Sequence, residues 1–174
     1  MRVGPLWIGP PWQLPPRDVV TVVIDPGRAF GTGAHATTHL CLELVAELDP
    51  ASLLDVGCGS GVIAIAADLL GFSPVIAVDV DSAAVDATLR NADANGATVD
   101  VRLLDLTTDE LPEADVAVAN ITAALVEGVL ARTDSRVVVA SGFLERDEPE
   151  LGGYRRRERR VRDGWAADLL ERSQ

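Results

Sequence analysis

Three glycines and one acidic residue form the clearest chemical pattern in the chain. Residues 53–61 read Leu-Leu-Asp-Val-Gly-Cys-Gly-Ser-Gly, and Asp79 ends the next apolar run. Glycine adopts positive φ angles and has no side chain, so a turn of this kind is expected to let backbone N–H groups approach a ligand. A carboxylate about twenty residues further on accepts hydrogen bonds from ribose hydroxyls. The pattern predicts a site for an adenosine-containing cofactor.

Further side chains around this glycine turn extend the candidate site. Asp55 lies two residues before the first glycine, where it is suited either to orient the turn or to meet a cationic group. A glycine triplet by itself is also an ordinary tight turn, so the prediction depends on its combination with Asp79. The candidate cofactor contacts in this part of the chain are Asp55, Gly57, Cys58, Gly59, Gly61, Asp79, Val80 and Asp105.

A dinucleotide cofactor is the alternative that the same turn leaves open. Residues 59–64, Gly-Ser-Gly-Val-Ile-Ala, satisfy the G-x-G-x-x-A form of the dinucleotide fingerprint, which is typical of NAD-dependent oxidoreductases. In such enzymes the strand that precedes the glycine turn normally lies close to the start of the chain. This chain instead has about fifty residues and a second glycine-rich segment before it, which disfavours the alternative.

From residue 52 onward, short β-branched runs alternate with runs of helical spacing. The predicted strands are 52–57, 75–79, 99–104, 115–119 and 136–140, and the predicted helices are 60–70, 82–95 and 122–132. Residues 154–162 and 165–170 are predicted to form a hairpin closed by Asp163-Gly164. The fold class is therefore α/β, a Rossmann-like, doubly wound, seven-stranded and mostly parallel sheet with a C-terminal antiparallel hairpin.

The first 24 residues are rich in proline and are predicted to form an arm, followed by a cofactor-binding domain over residues 25–174. Apolar anchors of such a segment usually bury. Trp7, Ile8 and Trp12 are therefore expected to pack the arm against the domain.

Composition limits the functional classes. The 174 residues carry a formal net charge of -12, which disfavours a nucleic-acid clamp and favours a basic partner. Cys41 and Cys58 lack the spacing of a disulfide framework, and His35 and His39 add too few ligands for a metal site, so no metal is expected. No run has the length and apolarity of a leader peptide or a membrane span, which predicts a soluble protein of the cytoplasm.

Two motifs resemble those of a known family. Residues 55–61 with Asp79 resemble the cofactor site of class I S-adenosylmethionine-dependent methyltransferases. More specifically, residues 25–38, Asp-Pro-Gly-Arg-Ala-Phe-Gly-Thr-Gly-Ala-His-Ala-Thr-Thr, and residues 119–121, Ala-Asn-Ile, resemble the enzymes that methylate ribosomal protein L-eleven, the PrmA family. Members usually carry Pro in place of Ala36 and Leu in place of Thr122. They also have a separate N-terminal domain that recognises the ribosomal protein, which this chain is expected to lack.

The resemblance implies that the cofactor is S-adenosyl-L-methionine. It implies contacts from Thr38 and Asn120 as well as from the glycine turn, and closure over the amino-acid end of the cofactor by Phe30, Gly31, Thr32 and Gly33. Taken singly, Thr38 is equally suited to capping a helix. Asn120 directly follows a predicted strand, at the edge where ligands of open α/β sheets bind. It is the expected catalytic residue, which orients a substrate nitrogen beside the methyl group.

The function implied is N-methylation of protein amino groups, either lysine or an N-terminal amine, with a ribosomal protein as the expected partner. Three alternatives stay open, namely methylation of RNA or a small molecule, an NAD-dependent oxidoreductase, and a cofactor-binding module without catalysis. The run from Arg155 to Arg162 is the one candidate binding surface for nucleic acid or an acidic partner. The interpretation favoured for it is an exposed edge strand whose charges discourage association with other sheets.

Overall fold

The computed structural model describes residues 1–25 and 35–173 and contains two sheets. The smaller sheet is N-terminal and consists of β1 (Arg2–Val3), β2 (Leu6–Gly9) and β3 (Val20–Val23). Strands β1 and β2 are antiparallel, whereas β2 and β3 are parallel. Because parallel strands end at the same edge, the ends of β2 and β3 lie side by side, and the N–H of Ile24 donates to Gly9 O at 2.9 Å.

The predicted arm is therefore a small sheet that packs on the rest of the chain. Trp7 and Ile8 are buried as expected, and Ile8 belongs to the same hydrophobic cluster as the first helices. The expectation for Trp12 is wrong, since 69% of its surface is exposed. Trp12 lies in the proline-rich connection between the parallel strands β2 and β3, where residues 11–18 are all exposed. The division of the chain at residue 24 stays a prediction.

The larger sheet confirms the predicted fold class. Its strands are β4 (Leu53–Val56), β5 (Val75–Asp79), β6 (Val99–Leu103), β7 (Val116–Asn120), β8 (Val137–Leu144), β9 (Tyr154–Arg162) and β10 (Trp165–Arg172). They lie in the order β6-β5-β4-β7-β8-β10-β9. The first five pair in parallel, and β10 pairs antiparallel with both β8 and β9.

Helices cover both faces of this sheet. They are α1 (Ala36–Val45), α2 (Val62–Leu69), α3 (Ser82–Asn95) and α4 (Ala123–Leu130). Successive residues of β4 face opposite sides, so Leu53 joins the cluster formed with α1 and α2, and Leu54 joins the cluster formed with α4. The chain order reverses between β4 and β7, and ligands of open α/β sheets bind in the crevice at such a reversal.

The predicted element boundaries hold to within about two residues, except at the end of β8. β8 continues to Leu144, because its outer edge pairs with β10 along its whole length. The described residues between β8 and β9 contain no helix, so a turn-rich connection leads into the hairpin. None of the helices in the described residues has both the length and the apolarity needed to span a membrane.

Candidate cofactor and catalytic site

The glycine turn between β4 and α2 has the backbone that its sequence requires. Gly57, Gly59 and Gly61 all have positive φ angles, of 75°, 56° and 80°. L-residues pay a steric cost for this conformation, whereas glycine does not. Gly57 is also confined by packing, since a Cβ there would come within 2.5 Å of the Ile121 side chain, just beyond β7. The turn is therefore fixed both by its dihedral angles and by the neighbouring strand.

Four N–H groups of the turn already have acceptors within the protein, and the expected contact of the turn with a cofactor stays a prediction. Gly57 and Cys58 both donate to Val78 O, at 2.9 and 3.1 Å, and Gly61 donates to Cys58 O at 2.8 Å. The N–H of Gly59 donates to Asp79 Oδ2 at 2.9 Å. Because the protein itself satisfies these donors, the turn acts as a rigid support and not as a row of free N–H groups.

Asp79 ends β5 with its carboxylate directed at the glycine turn. Oδ2 accepts from Gly59, and Oδ1 accepts from the N–H of Asp81 at 3.0 Å. Each carboxylate oxygen can accept more than one hydrogen bond, so Asp79 keeps acceptor capacity for a ligand. Its contact with the turn fixes where that capacity points.

Asp55 is buried below the turn, where it accepts a hydrogen bond from the N–H of Ala64 at 3.1 Å. The pKa of this carboxyl is about 7, because burial raises it more than the Ala64 hydrogen bond lowers it, and the nearby Asp79 also raises it. The sequence suggested that Asp55 either orients the turn or meets a cationic group. The structure shows a contact for the first role, because the Asp55 side chain connects β4 with the first turn of α2. Both Asp55 and Asp79 thus occupy N–H groups that a pyrophosphate would need.

Cys58 contributes shape to the turn and no reactive thiol. Its Sγ lies 3.3 Å from Thr88 Oγ1, and the residue is buried. Burial, together with the nearby Asp55, raises the pKa of the Cys58 thiol to about 12. A thiol that stays protonated is a poor nucleophile.

Thr38 and Asn120 meet at the edge of the sheet. Asn120 is the last residue of β7, and its Nδ2 donates to Thr38 Oγ1 at 3.3 Å. Thr38 is buried on α1, and the helix is capped by His35, whose Nδ1 accepts from the N–H of Thr37 at 3.4 Å. The capping role considered for Thr38 therefore belongs to His35, and the Thr38 side chain contacts Asn120.

The neighbouring strand β8 supports Asn120 from the other side. Asn120 pairs with Ser141 in the parallel register, and the N–H of Ile121 donates to Ser141 O at 3.1 Å. Gly142 has a φ of 99°, and a Cβ there would overlap the backbone carbonyl of Ile121. The chain after β7 can therefore approach β8 only because residue 142 is glycine.

The remaining predicted contacts are placed differently. Val80 is exposed beside Asp79, and Leu104, which donates to Asp79 O at 2.9 Å, brings Asp105 to the same edge. Asp105 Oδ1 accepts from Thr107 Oγ1 and from its N–H, at 2.6 and 2.8 Å, and these bonds lower the pKa of Asp105. Its carboxylate is thus directed at its own loop. Phe30, Gly31, Thr32 and Gly33 lie outside the described residues.

The two histidines lie near the start of α1 but serve different contacts. His35 packs edge-on against Trp165, with ring centroids 4.9 Å apart. His39 is buried, and its Nδ1 lies 3.2 Å from Glu43 Oε1, with Arg162 against the ring. Among the described residues, no group of three potential ligands surrounds either ring.

Sequence reasoning missed three polar residues on one face of α3. Thr88, Asn91 and Asn95 reach the glycine turn and the end of β3. Their spacing of three and four residues is the available signal, because it puts polar side chains on a face that also carries buried alanines. Without the fold, the partner of that face is unknown.

The basic strand is paired with acidic groups throughout. β9 is the edge strand of the main sheet, as predicted, and each of its six arginines has a carboxylate oxygen within 4 Å. Arg159 makes the most extensive contacts, since it grips both oxygens of the buried Asp168, at 2.7 and 2.9 Å. The neutralised charges favour the structural interpretation of this strand over a nucleic-acid grip.

Solved structures define the class of protein that this fold represents. A crystal structure of the 16S rRNA methyltransferase RmtF in complex with S-adenosyl-L-homocysteine is 20% identical, with a TM-score of 0.60 over 81% of this chain and 66% of that one. At this identity the likeness shows the methyltransferase fold alone.

Two more specific comparisons show the family. A crystal structure of ribosomal protein L11 methylase from Lactobacillus delbrueckii subsp. bulgaricus is 28% identical, with a TM-score of 0.85 over 97% of this chain and 95% of that one. The ribosomal protein L11 methyltransferase of Symbiobacterium thermophilum is 46% identical over 148 residues, which are 82% of this chain and 49% of that protein. The family model, "Ribosomal protein L11 methyltransferase (PrmA)", matches residues 1–159. The chain belongs to this family, and it spans about half the length of the curated relatives it matches.

Proposed function

We propose that the chain binds S-adenosyl-L-methionine and transfers its methyl group to amino groups of a protein. The observation that carries this proposal is the hydrogen bond between Asn120 and Thr38, beside the glycine turn. It joins the two family-specific motifs at the crevice of the sheet, where a ligand of this fold binds. Membership in the family of ribosomal protein methyltransferases supports the same reaction.

The polar groups of the site suit a cationic adenosine cofactor. Asp79 keeps acceptor capacity for ribose hydroxyls, and the exposed Val80 beside it offers an apolar surface to a base. Asp55 and Asp79 put two acidic groups against the start of α2. A sulfonium and an ammonium group are compatible with the Asp79 carboxylate, whereas the pyrophosphate of a dinucleotide is repelled by it and finds the N–H groups of Gly59 and Ala64 already bonded to the two acidic side chains. The oxidoreductase alternative is therefore disfavoured.

Asn120 is the residue proposed to position the acceptor. Its Nδ2 is held by Thr38, so Oδ1 is the oxygen it can offer to an N–H of the incoming amine. S-adenosyl-L-methionine supplies an electrophilic methyl group on sulfur. A lysine or N-terminal amine must first lose a proton, and burial in the crevice lowers its pKa while water carries the proton away. Alignment of the nitrogen lone pair is the contribution required of the protein.

A protein acceptor fits the charge of the chain better than RNA does. The net charge is -12, and the arginines of β9 are already paired with carboxylates. A basic polypeptide is attracted by such a surface, and a polyanion is not. We propose a ribosomal protein as the acceptor and the cytoplasm as the location, in keeping with the two free, buried cysteines.

A methylation assay on ribosomal extract tests the proposal. The purified chain, S-adenosyl-L-methionine and the extract are incubated, and peptides with added methyl groups on amines are sought by mass spectrometry. Asn120→Ala is expected to lower the rate at least about 100-fold, because misalignment of the acceptor by about 1 Å has that cost. Thr122→Ala is the matched control, since Thr122 is exposed and makes no capping hydrogen bond. Methylation confined to RNA, or none at all with bound cofactor, would contradict the proposal.

A further inference from the structure

One face of α3 links the glycine turn of the proposed cofactor site to the end of β3. Thr88, Asn91 and Asn95, called here the polar ladder, follow each other at intervals of three and four residues. Thr88 and Asn91 are almost completely buried, with 0% and 4% of their surfaces exposed. Polar side chains are costly at such positions unless their hydrogen bonds are made, so their partners indicate what they are for.

The upper part of the ladder holds the glycine turn. Thr88 Oγ1 donates to Gly59 O at 3.1 Å, and Asn91 Nδ2 donates to Ser60 O at 2.8 Å. Gly59 is thereby fixed at both of its peptide groups, since its N–H is bonded to Asp79. These contacts fix the position of the glycine turn relative to α3. Because the N–H of Gly59 is bonded to Asp79, they also help to orient the Asp79 carboxylate.

The lower part of the ladder holds the end of β3. Asn95 accepts from the N–H of Val23 and donates to its carbonyl, both at 2.7 Å, so its amide replaces a neighbouring strand at the open edge of the small sheet. Asn91 Oδ1 accepts from the N–H of Asp25 at 3.2 Å. The Asn91 side chain therefore bonds the glycine turn with one atom and Asp25 with the other.

We propose that Thr88, Asn91 and Asn95 are positioning residues that hold the glycine turn and the end of β3 in one fixed relation, so that cofactor binding at the turn stabilises β3. This inference rests on the proposed function. It assigns the ladder a role in cofactor affinity and not only in stability. The residues act through the backbone of Gly59, Ser60, Val23 and Asp25.

Binding of S-adenosyl-L-homocysteine, measured by calorimetry on folded protein, tests the first part. Thr88→Val keeps the shape of the side chain but loses the hydroxyl that bonds Gly59 O and contacts Cys58 Sγ, and is expected to weaken binding about 5- to 10-fold. Thr88→Ser keeps the hydroxyl and should restore affinity. Asp93→Asn, on an exposed position of the same helix, is the control and should bind as the unmodified chain does.

Hydrogen exchange tests the coupling. In the unmodified chain, S-adenosyl-L-homocysteine should slow exchange at the N–H groups of Val23 and Asp25. Asn91→Asp keeps the acceptor for Asp25 but loses the donor to Ser60 O, so the ligand should no longer slow exchange at Asp25. Unchanged affinity in Thr88→Val, or unchanged ligand protection in Asn91→Asp, would overturn the inference while the proposed function stood. Failure of the unmodified chain to bind the ligand would remove both.

Discussion

Asn120 and Thr38, 82 positions apart in the sequence, share a hydrogen bond of 3.3 Å from Nδ2 to Oγ1. The bond connects the end of β7 with the first turn of α1, two elements that come together only in the folded chain. It fixes which side of the Asn120 amide faces α1. The amide oxygen is consequently the atom available for a substrate, on which the proposed alignment of an amine depends.

Thr38→Val is predicted to loosen this arrangement without removing Asn120. Valine has nearly the same shape as threonine but accepts no hydrogen bond, so the Asn120 amide is free to turn. We expect kcat to fall about tenfold, the equivalent of one hydrogen bond in the transition state. Thr38→Ser retains the acceptor and should keep most of the activity. Steady-state kinetics at saturating cofactor measures this, and an unchanged kcat in Thr38→Val would remove the proposed role of the bond.

Gly57→Ala is predicted to damage the glycine turn in two separable ways. The positive φ of residue 57 costs an L-residue about 1 to 2 kcal/mol, and the new Cβ meets the Ile121 side chain. Adding Ile121→Ala removes the second cost but not the first. Unfolding by denaturant should therefore show partial rescue of Gly57→Ala by Ile121→Ala. Complete rescue, or none, would show that only one of the two constraints operates.

The stability of the cofactor-free protein is predicted to fall with rising pH because of Asp55. Its pKa is about 7 in the folded chain, against an ordinary value of 3.8, because burial disfavours the charged form. The stability that the protonated group contributes is complete below about pH 4 and is lost as the pH rises to about 7, a change of about 4 kcal/mol.

Asp55→Asn does not titrate, so its unfolding free energy relative to the unmodified chain should rise between pH 4 and pH 8. Denaturant unfolding at several pH values measures the difference. Parallel pH profiles for the two proteins would contradict the buried, protonated state of Asp55.

Arg159→Lys is predicted to destabilise the C-terminal hairpin. The guanidinium bonds both oxygens of the buried Asp168 and the backbone carbonyls of Glu145 and Asp147. Lysine keeps the positive charge but cannot reproduce this fork, and the lost hydrogen bonds to a charged group are expected to cost about 1.5 to 3 kcal/mol. Arg155→Lys is the control, because Arg155 is 74% exposed and its pair with Glu171 is worth less than about 1 kcal/mol. Denaturant unfolding measures both variants. Equal losses of unfolding free energy in Arg159→Lys and Arg155→Lys would contradict a special contribution of the Arg159 hydrogen bonds.

Local sequence patterns were sufficient to predict the larger sheet and its helices, but not the small N-terminal sheet. Glycine turns, helix stops at Gly71 and Gly96, and β-branched runs mark the elements directly, and the α3 bounds of Ser82–Asn95 agree at both ends. The hairpin was predicted from Asp163-Gly164, whose residues both have positive φ angles. Such signals work because each depends on the backbone preferences of a few adjacent residues.

Contacts in the site could be predicted from sequence only where both partners lie in the same motif. That Asn120 and Thr38 belong to one site was implied by the family resemblance, whereas the hydrogen bond between them was not predicted. The polar ladder and the packing of Ile121 against Gly57 depend on which helix faces which turn, and sequence spacing does not determine that. The exposure of Trp12 was missed for the same reason, since an apolar side chain in a loop buries only if a neighbour is present.

The most direct test of the account is calorimetric titration of the purified chain with S-adenosyl-L-methionine, S-adenosyl-L-homocysteine and NAD. Binding of the first two is expected, with strong weakening in Asp79→Ala, because Asp79 is held by Gly59 in the position proposed for the ribose contact. No binding of NAD is expected. Binding of NAD without binding of either sulfur-containing ligand would contradict the central claim.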